Sequence, residues 1–197
     1  MWFVIPILLG YLLGSISFSY LAGKLLKGID IRDHGSGNAG ATNTLRVLGV
    51  GPAITVLVLD AVKGLAAVKI GQWLGDGSAL LLVLCGIAAI IGHNWPIYFG
   101  FRGGKGIATT IGVMVTLALV PALCAGVFAI LAIAVTRYVS LGSLLFTALI
   151  PVFIWFMDLP IETFVLSVLV FAFALFKHRT NIAKLIKGQE NKIGVKK

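Results

Sequence analysis

The sequence predicts an all-α integral membrane protein with seven transmembrane helices, its amino terminus outside and its carboxyl terminus in the cytoplasm. Three observations carry this. Of 197 residues, 59% are hydrophobic and 12% charged, and the mean hydropathy is +1.04; a water-soluble core of this length cannot hide so much apolar surface. Apolar runs of spanning length recur along the whole chain. The basic residues fall between those runs in alternation, as cytoplasmic loops require.

A spanning helix needs about 20 mostly apolar residues, or as few as roughly 17. Trp2 to Ala22, Gly51 to Leu74, Ser78 to Trp95, Leu141 to Met157 and Ile161 to Phe176 come near that length. Ile107 to Thr136 has 30 uncharged residues, too many for one ordinary span, with Pro121 near its middle; it reads as two short helices meeting at Pro121. Seven crossings then place Lys24, Lys27, Arg32, Arg46, Arg102, Lys105, Arg137, Lys177, Arg179, Lys184, Lys187, Lys192, Lys196 and Lys197, 14 of the 16 basic residues, on one side. Asp76, Asp158 and Glu162 fall on the other. A single crossing by Ile107 to Thr136 would put the basic tail outside, against the charge rule.

The first apolar run has no basic region before it and is followed by Lys24 and Lys27, so it is expected to be a retained helix and not a cleaved signal. Within it Gly10 and Gly14 form GxxxG, which lets helices approach closely. Trp95, Tyr98 and Phe99 read as interfacial belt residues. Ile182, Leu185 and Ile186 beside Lys184 and Lys187 suggest a short amphipathic helix on the membrane surface. The chain is expected to be one membrane domain over residues 1–197, with no repeat of the kind that builds many transporters. Cys85 and Cys124 lie within apolar runs and are read as packing residues. The three histidines are far apart and carboxylates are scarce, so no metal is expected. A net charge of +9 spread over inner loops and tail points to anionic lipid and anionic substrate, not to nucleic acid.

Two polar stretches interrupt the membrane pattern: Gly35 to Arg46 (GSGNAGATNTLR) and Gly92 to Gly106 (GHNWPIYFGFRGGKG). Gly35, Gly37 and Gly40 spell GxGxxG, but no α/β unit surrounds them, so the dinucleotide reading is discarded. A P-loop would need glycine at Phe99 and Ser or Thr at Gly106, and it fails as well. What survives is a composite of Ser36, Asn38, Thr42, Asn43 and Arg46 with Arg102, Gly103, Gly104 and Lys105 on one face. A phosphate dianion needs several N–H and hydroxyl donors plus a cation, and Arg can hold two of its oxygens at once. Either loop alone could be a turn with topology-fixing charges; two loops joining glycines to a cation point to anion binding.

A third patch follows the last helix at Lys177, His178, Arg179, Thr180 and Asn181. His178 could serve as base, phosphate donor or ordinary interfacial residue. Ser143, at the inner end of the sixth helix, can face the same site or bond its own backbone. Asp60 and Lys63 lie three apart on one helical face, and lone charges at bilayer depth cost about 2.5 to 3.5 kcal/mol, so they are expected to pair, with a contribution to the polar site as a second role.

Together GSGNAGATNTLRVLG, GHNWPIYFGFRGGKGIAT and KHRTNIAKLIKGQENKIG resemble the three inner-face motifs of the bacterial acyl-phosphate:glycerol-3-phosphate acyltransferase family, known as PlsY, along essentially the whole chain. The resemblance implies Gly-rich active-site loops on the cytoplasmic face of the bacterial inner membrane. It also implies acyl transfer from acyl phosphate to the 1-hydroxyl of glycerol 3-phosphate, giving lysophosphatidic acid and inorganic phosphate, with no cofactor. By resemblance Ser36, Asn38, Thr42 and Arg46 carry over from the first motif, the glycines and Lys105 from the second, and His178, Asn181 and Glu190 from the third.

The residues agree with such a reaction. Both substrates carry phosphate and one carries a fatty chain. No His is followed by Asp five positions later, which excludes the HxxxxD acyltransferase motif, and cysteines in apolar helices argue against an acyl-enzyme. An acyl phosphate already has a good leaving group, so positioning the hydroxyl and stabilising charge suffice. The proton can go to His178 or to a substrate phosphate oxygen. The expected mechanism is substrate-assisted, with Lys105 and Arg46 holding phosphate and Ser36, Ser143, His178 and Asn181 orienting the reactants. The competing reading is a transporter or channel for a phosphorylated anion, which requires polar residues continuing toward the outer face; the later spans are almost wholly apolar.

Overall fold

A computed structural model describes residues 3–194, and among these the chain is helical with no strand. Trp2, Lys196 and Lys197 lie outside the described residues. Among the described residues the helices gather into two compact units, one running to Leu117 and one starting at Ala118.

The first unit holds six α-helices: α1 (Val4–Gly14), α2 (Phe18–Lys27), α3 (Ala41–Leu48), α4 (Val50–Leu74), α5 (Ala79–Asn94) and α6 (Ile107–Leu117). The first apolar run is not one uninterrupted helix. It breaks at residues 15–17, where Ser15 Oγ donates back to the Tyr11 carbonyl at 2.9 Å and Ser17 caps α2 by accepting from the Tyr20 N–H. Serine favours such a break because its side chain competes for backbone groups. Near its end α2 carries Lys24 and Lys27, suited to the negative helix terminus, and it stops at Gly28 with φ of 70°. The 25-residue α4 is the centre of this unit, packed against α1, α3, α5 and α6. Gly10 and Gly14 of α1 lie against the Cys85 and Ala89 backbone of α5, so the GxxxG pair does serve helix packing.

The second unit contains α7 (Leu119–Thr136), α8 (Val139–Phe156), α9 (Ile161–Lys177) and α10 (Arg179–Ile186). Its α8 packs between α7 and α9, and α10 turns 64° from α9. The long apolar run divides at Ala118, with α6 ending at Leu117 and α7 starting at Leu119. The expected junction at Pro121 is therefore corrected by three residues. Proline breaks the chain on its amino-terminal side because it is tolerated within a first helical turn, where its missing N–H leaves no bond unmade.

Exposed side chains on α7 include Val127, Phe128, Ile130, Leu131 and Val135. An apolar face of this kind belongs in lipid. Among the described residues, four stretches are long and apolar enough to cross a membrane: Val4–Lys27, Ala79–Phe99, Leu119–Thr136 and Val139–Phe156. A fifth joins them if the bent pair α9 and α10 counts as one. The chain is thus an integral membrane protein with several apolar spans.

Candidate active site

The first polar stretch folds around Asn43. This residue is fully buried; its Nδ2 donates to the Ile31 and His34 carbonyls, both at 3.0 Å, and its Oδ1 accepts from the Ser36 N–H at 2.7 Å. Every polar group of the amide is engaged with loop backbone, which shapes the turn that carries Ser36. Thr44, also buried, bonds Ser19 of α2 at 2.8 Å and ties the start of α3 to that helix. Ser36 is exposed, Asn38 and Thr42 are half-buried, and Arg46 extends from the exposed side of α3.

Arg32 joins this stretch to the second one. Its Nη1 donates to the Phe99 carbonyl at 2.7 Å and to the Arg102 carbonyl at 3.3 Å. Its Nε and Nη2 hold the Asp30 carboxylate at 2.7 to 3.2 Å, and the guanidinium lies 4.9 Å from the Tyr20 ring centre. The Tyr20 and Phe99 rings are themselves 4.7 Å apart. The Arg32 side-chain hydrogen bonds hold the Asp30 carboxyl at about 2, well below its ordinary 3.8, and Asp30 in turn raises Arg32. A charge-assisted bidentate pair of this kind is rigid.

The second stretch wraps the last turn of α5. The Gly104 N–H donates to the His93 carbonyl at 3.1 Å. A side chain at Gly104 would run into the His93 Nε2 edge and the Ala39 carbonyl of the first stretch. Only glycine lets the backbone settle between them. Gly106, with φ of 83°, rests over the Asn94 amide. Lys105 is therefore carried between two anchored glycines, half-buried and next to the first polar stretch. Gly103 lies against the His93 carbonyl and Pro96, and Arg102 is exposed, with Asp33 4.0 Å away.

Beneath this loop sits a buried charged group. Asp60 Oδ1 is 2.8 Å from Lys63 Nζ and 3.5 Å from His93 Nδ1, and all three side chains are 6% exposed or less. Lys63 also donates to the Ile16 carbonyl at 2.6 Å, in the break between α1 and α2. The serine break frees a carbonyl, and a buried ammonium takes it.

In the second unit, His178 is 3% exposed. Its Nδ1 lies 2.9 Å from the Ala174 carbonyl; a carbonyl only accepts, so Nδ1 carries the proton and a neutral ring has its lone pair at Nε2. Asn181 Nδ2 donates to Glu190 Oε1 at 2.9 Å, and Glu190 is 9% exposed. Ser143 is buried and donates to the Val139 carbonyl one turn back, at 2.9 Å.

The two Gly-rich stretches meet through residues that the sequence pattern does not single out. Asp30, Arg32 and His93 hold the loops in place, and buried Asn94 packs under Gly106. The signal for the last two was their position inside the second motif, immediately after the apolar part of α5.

A family model described as Glycerol-3-phosphate acyltransferase matches residues 4–188. Proteins named glycerol-3-phosphate acyltransferase from Shouchella clausii and Halalkalibacterium halodurans are 58% and 56% identical, covering 98% and 95% of this chain and 97% and 93% of their own. Among solved structures, PlsY (YgiH), described as an integral membrane glycerol 3-phosphate acyltransferase, matches in its glycerol 3-phosphate form with a TM-score of 0.92 and 35% identity over 98% of this chain and 96% of that one. Its lysophosphatidic acid form matches with a TM-score of 0.90 over 98% and 95%.

Proposed function

The chain belongs to the glycerol-3-phosphate acyltransferase family, and from that premise we propose that it transfers a fatty acyl group from acyl phosphate to the 1-hydroxyl of glycerol 3-phosphate. The products are lysophosphatidic acid and inorganic phosphate, the first acylation in phospholipid synthesis. The observation that carries the reading is the joined pair of Gly-rich stretches, with Gly104 seated against Ala39 and Arg32 bonded to the Phe99 carbonyl. Rigid backbone donors beside Lys105 suit a phosphate dianion.

Lys105 and Arg46 hold phosphate, with Ser36, Asn38, Thr42 and the Gly103 N–H as further donors, while Gly104, its N–H committed to the His93 carbonyl, serves the site by leaving room for the ligand. Asn43 shapes the loop and does not itself bind. The glycerol 3-phosphate hydroxyl oxygen forms the new bond to the acyl carbon. The bond from that carbon to the phosphate oxygen breaks, and inorganic phosphate leaves. The hydroxyl proton passes to a phosphate oxygen, whose second pKa near 6 suits neutral pH. His178, Asn181 and Ser143 orient the reactants; the Glu190 bond that fixes the Asn181 amide supports a positioning role for the carboxylate. No covalent acyl-enzyme is invoked. The topology proposed with this reaction is seven crossings with the site facing the cytoplasm of the bacterial inner membrane, supported by the distribution of basic residues.

Purified protein supplied with palmitoyl phosphate and glycerol 3-phosphate should release phosphate only when both are present. No release in any detergent or lipid defeats the reading. In the same assay His178→Ala should lower turnover and keep the wild-type pH profile; loss of the acidic limb would make the histidine the base.

A further inference from the structure

We propose that Asp60 and His93 form a positioning pair beneath the Gly-rich loop, in which the Asp60 carboxylate orients the His93 imidazole and His93 sets the place of Gly104 and, through it, of the Lys105 ammonium. The proposal rests on the reading above that this loop holds phosphate.

Four observations converge on it. His93 closes α5 one residue from its end, so its ring is carried by a rigid helix. Its Nδ1 faces Asp60 Oδ1 at 3.5 Å with both side chains buried. A ring nitrogen facing a carboxylate keeps its proton there, which fixes tautomer and orientation. The opposite nitrogen, Nε2, is the atom that a side chain at Gly104 would strike, while the His93 carbonyl accepts the Gly104 N–H. One residue therefore contacts the loop from its ring and from its backbone, directly before Lys105.

Asp60 has a second partner. Lys63 pairs with the same carboxylate oxygen and with the Ile16 carbonyl. If Asp60 served only to neutralise Lys63, His93 would have no reason to sit between that carboxylate and the loop. The arrangement Asp60, His93, Gly104 runs instead from a charge buried in α4 to the backbone beside the phosphate-binding cation. A carboxylate behind a histidine is a common way to hold an imidazole still. Misplacing a binding group by about 1 Å can cost on the order of 100-fold in rate.

The test uses the full chain in detergent, with folding checked by thermal unfolding, and compares His93→Gln, Asp60→Asn, the double variant and Lys105→Met. Inorganic phosphate as a competitive inhibitor is the probe. His93→Gln should raise both the phosphate inhibition constant and the KM for glycerol 3-phosphate about tenfold or more, with a smaller change in kcat. The double variant should be no worse than the poorer single, because the two act as one unit. Folded single variants with unchanged phosphate inhibition, or losses that simply add, overturn the pair. If a variant does not fold, Gly104→Ala displaces the same contact from the loop side, and wild-type phosphate inhibition there overturns the proposal equally. Lys105→Met that keeps wild-type phosphate inhibition would instead defeat the phosphate-loop reading, and the pair with it.

Discussion

Arg32 directs its guanidinium to the Asp30 carboxylate and to the Phe99 and Arg102 carbonyls while resting on Tyr20. It holds two loops at one distance, which a lysine could not do, since an ammonium lacks the planar fork. Its ion pair has a pH signature. The Asp30 carboxyl is lowered from 3.8 to about 2 in the folded protein, so its stabilisation is complete above the unfolded value and lost as pH falls through the folded one. Asp30→Asn should lower unfolding free energy by roughly 1 kcal/mol at neutral pH, the value being modest because the pair is partly solvated. Thermal unfolding in detergent should show that difference shrinking from about pH 4 to about pH 2. A difference that persists undiminished at the acid end would mean that Asp30 acts without its charge. From the sequence Arg32 looked like another inner-side cation, because nothing in a linear pattern shows which carbonyls a guanidinium will meet. Asn43 is expected from the sequence as a phosphate donor; in the folded chain its amide is buried and bonded to loop backbone.

At the scale of elements, close approach is set by small residues. Gly14 lies where an added side chain would overlap Ala89 of α5, whereas a side chain added at Gly126 of α7 would meet nothing. Gly14→Val should therefore destabilise the protein by about 1 to 3 kcal/mol through overpacking. Gly126→Ala should be neutral or slightly stabilising, by at most about 1 kcal/mol. Equal thermal shifts for the two variants would show that the α1 and α5 contact does not depend on a bare backbone. The GxxxG spacing made this contact legible in advance, since it follows from helical period alone. The i, i+3 spacing of Asp60 and Lys63 likewise announced an ion pair on one face of α4. The breaks were less legible. Ser15 and Ser17 interrupt the first span through hydrogen bonds to neighbouring backbone, and serine makes such bonds without always ending a helix. Pro121 marked the region of the α6 to α7 junction but not its residue, because proline is accommodated inside the first turn of α7.

For the whole molecule, the charge distribution supports a definite orientation. Single-cysteine variants Asp76→Cys and Lys192→Cys, in a background with Cys85 and Cys124 replaced, provide the check. A membrane-impermeant maleimide applied to intact cells should label position 76 and leave position 192 unlabelled until the membrane is opened. Labelling of position 192 from outside would reject the seven-crossing orientation. Composition determined by itself that the protein lives in a membrane, because apolar content is a property of the chain that survives any folding. Motif content likewise sufficed for the family. Tertiary structure alone decided which loop residues brace and which face outward. It decided that Arg32 ties two stretches 67 residues apart to each other, and that Asp60 and His93, on different helices, share one buried site. Spacing along a chain fixes neighbours only within an element; partners between elements depend on how helices are brought side by side, and small residues and buried charges set those distances.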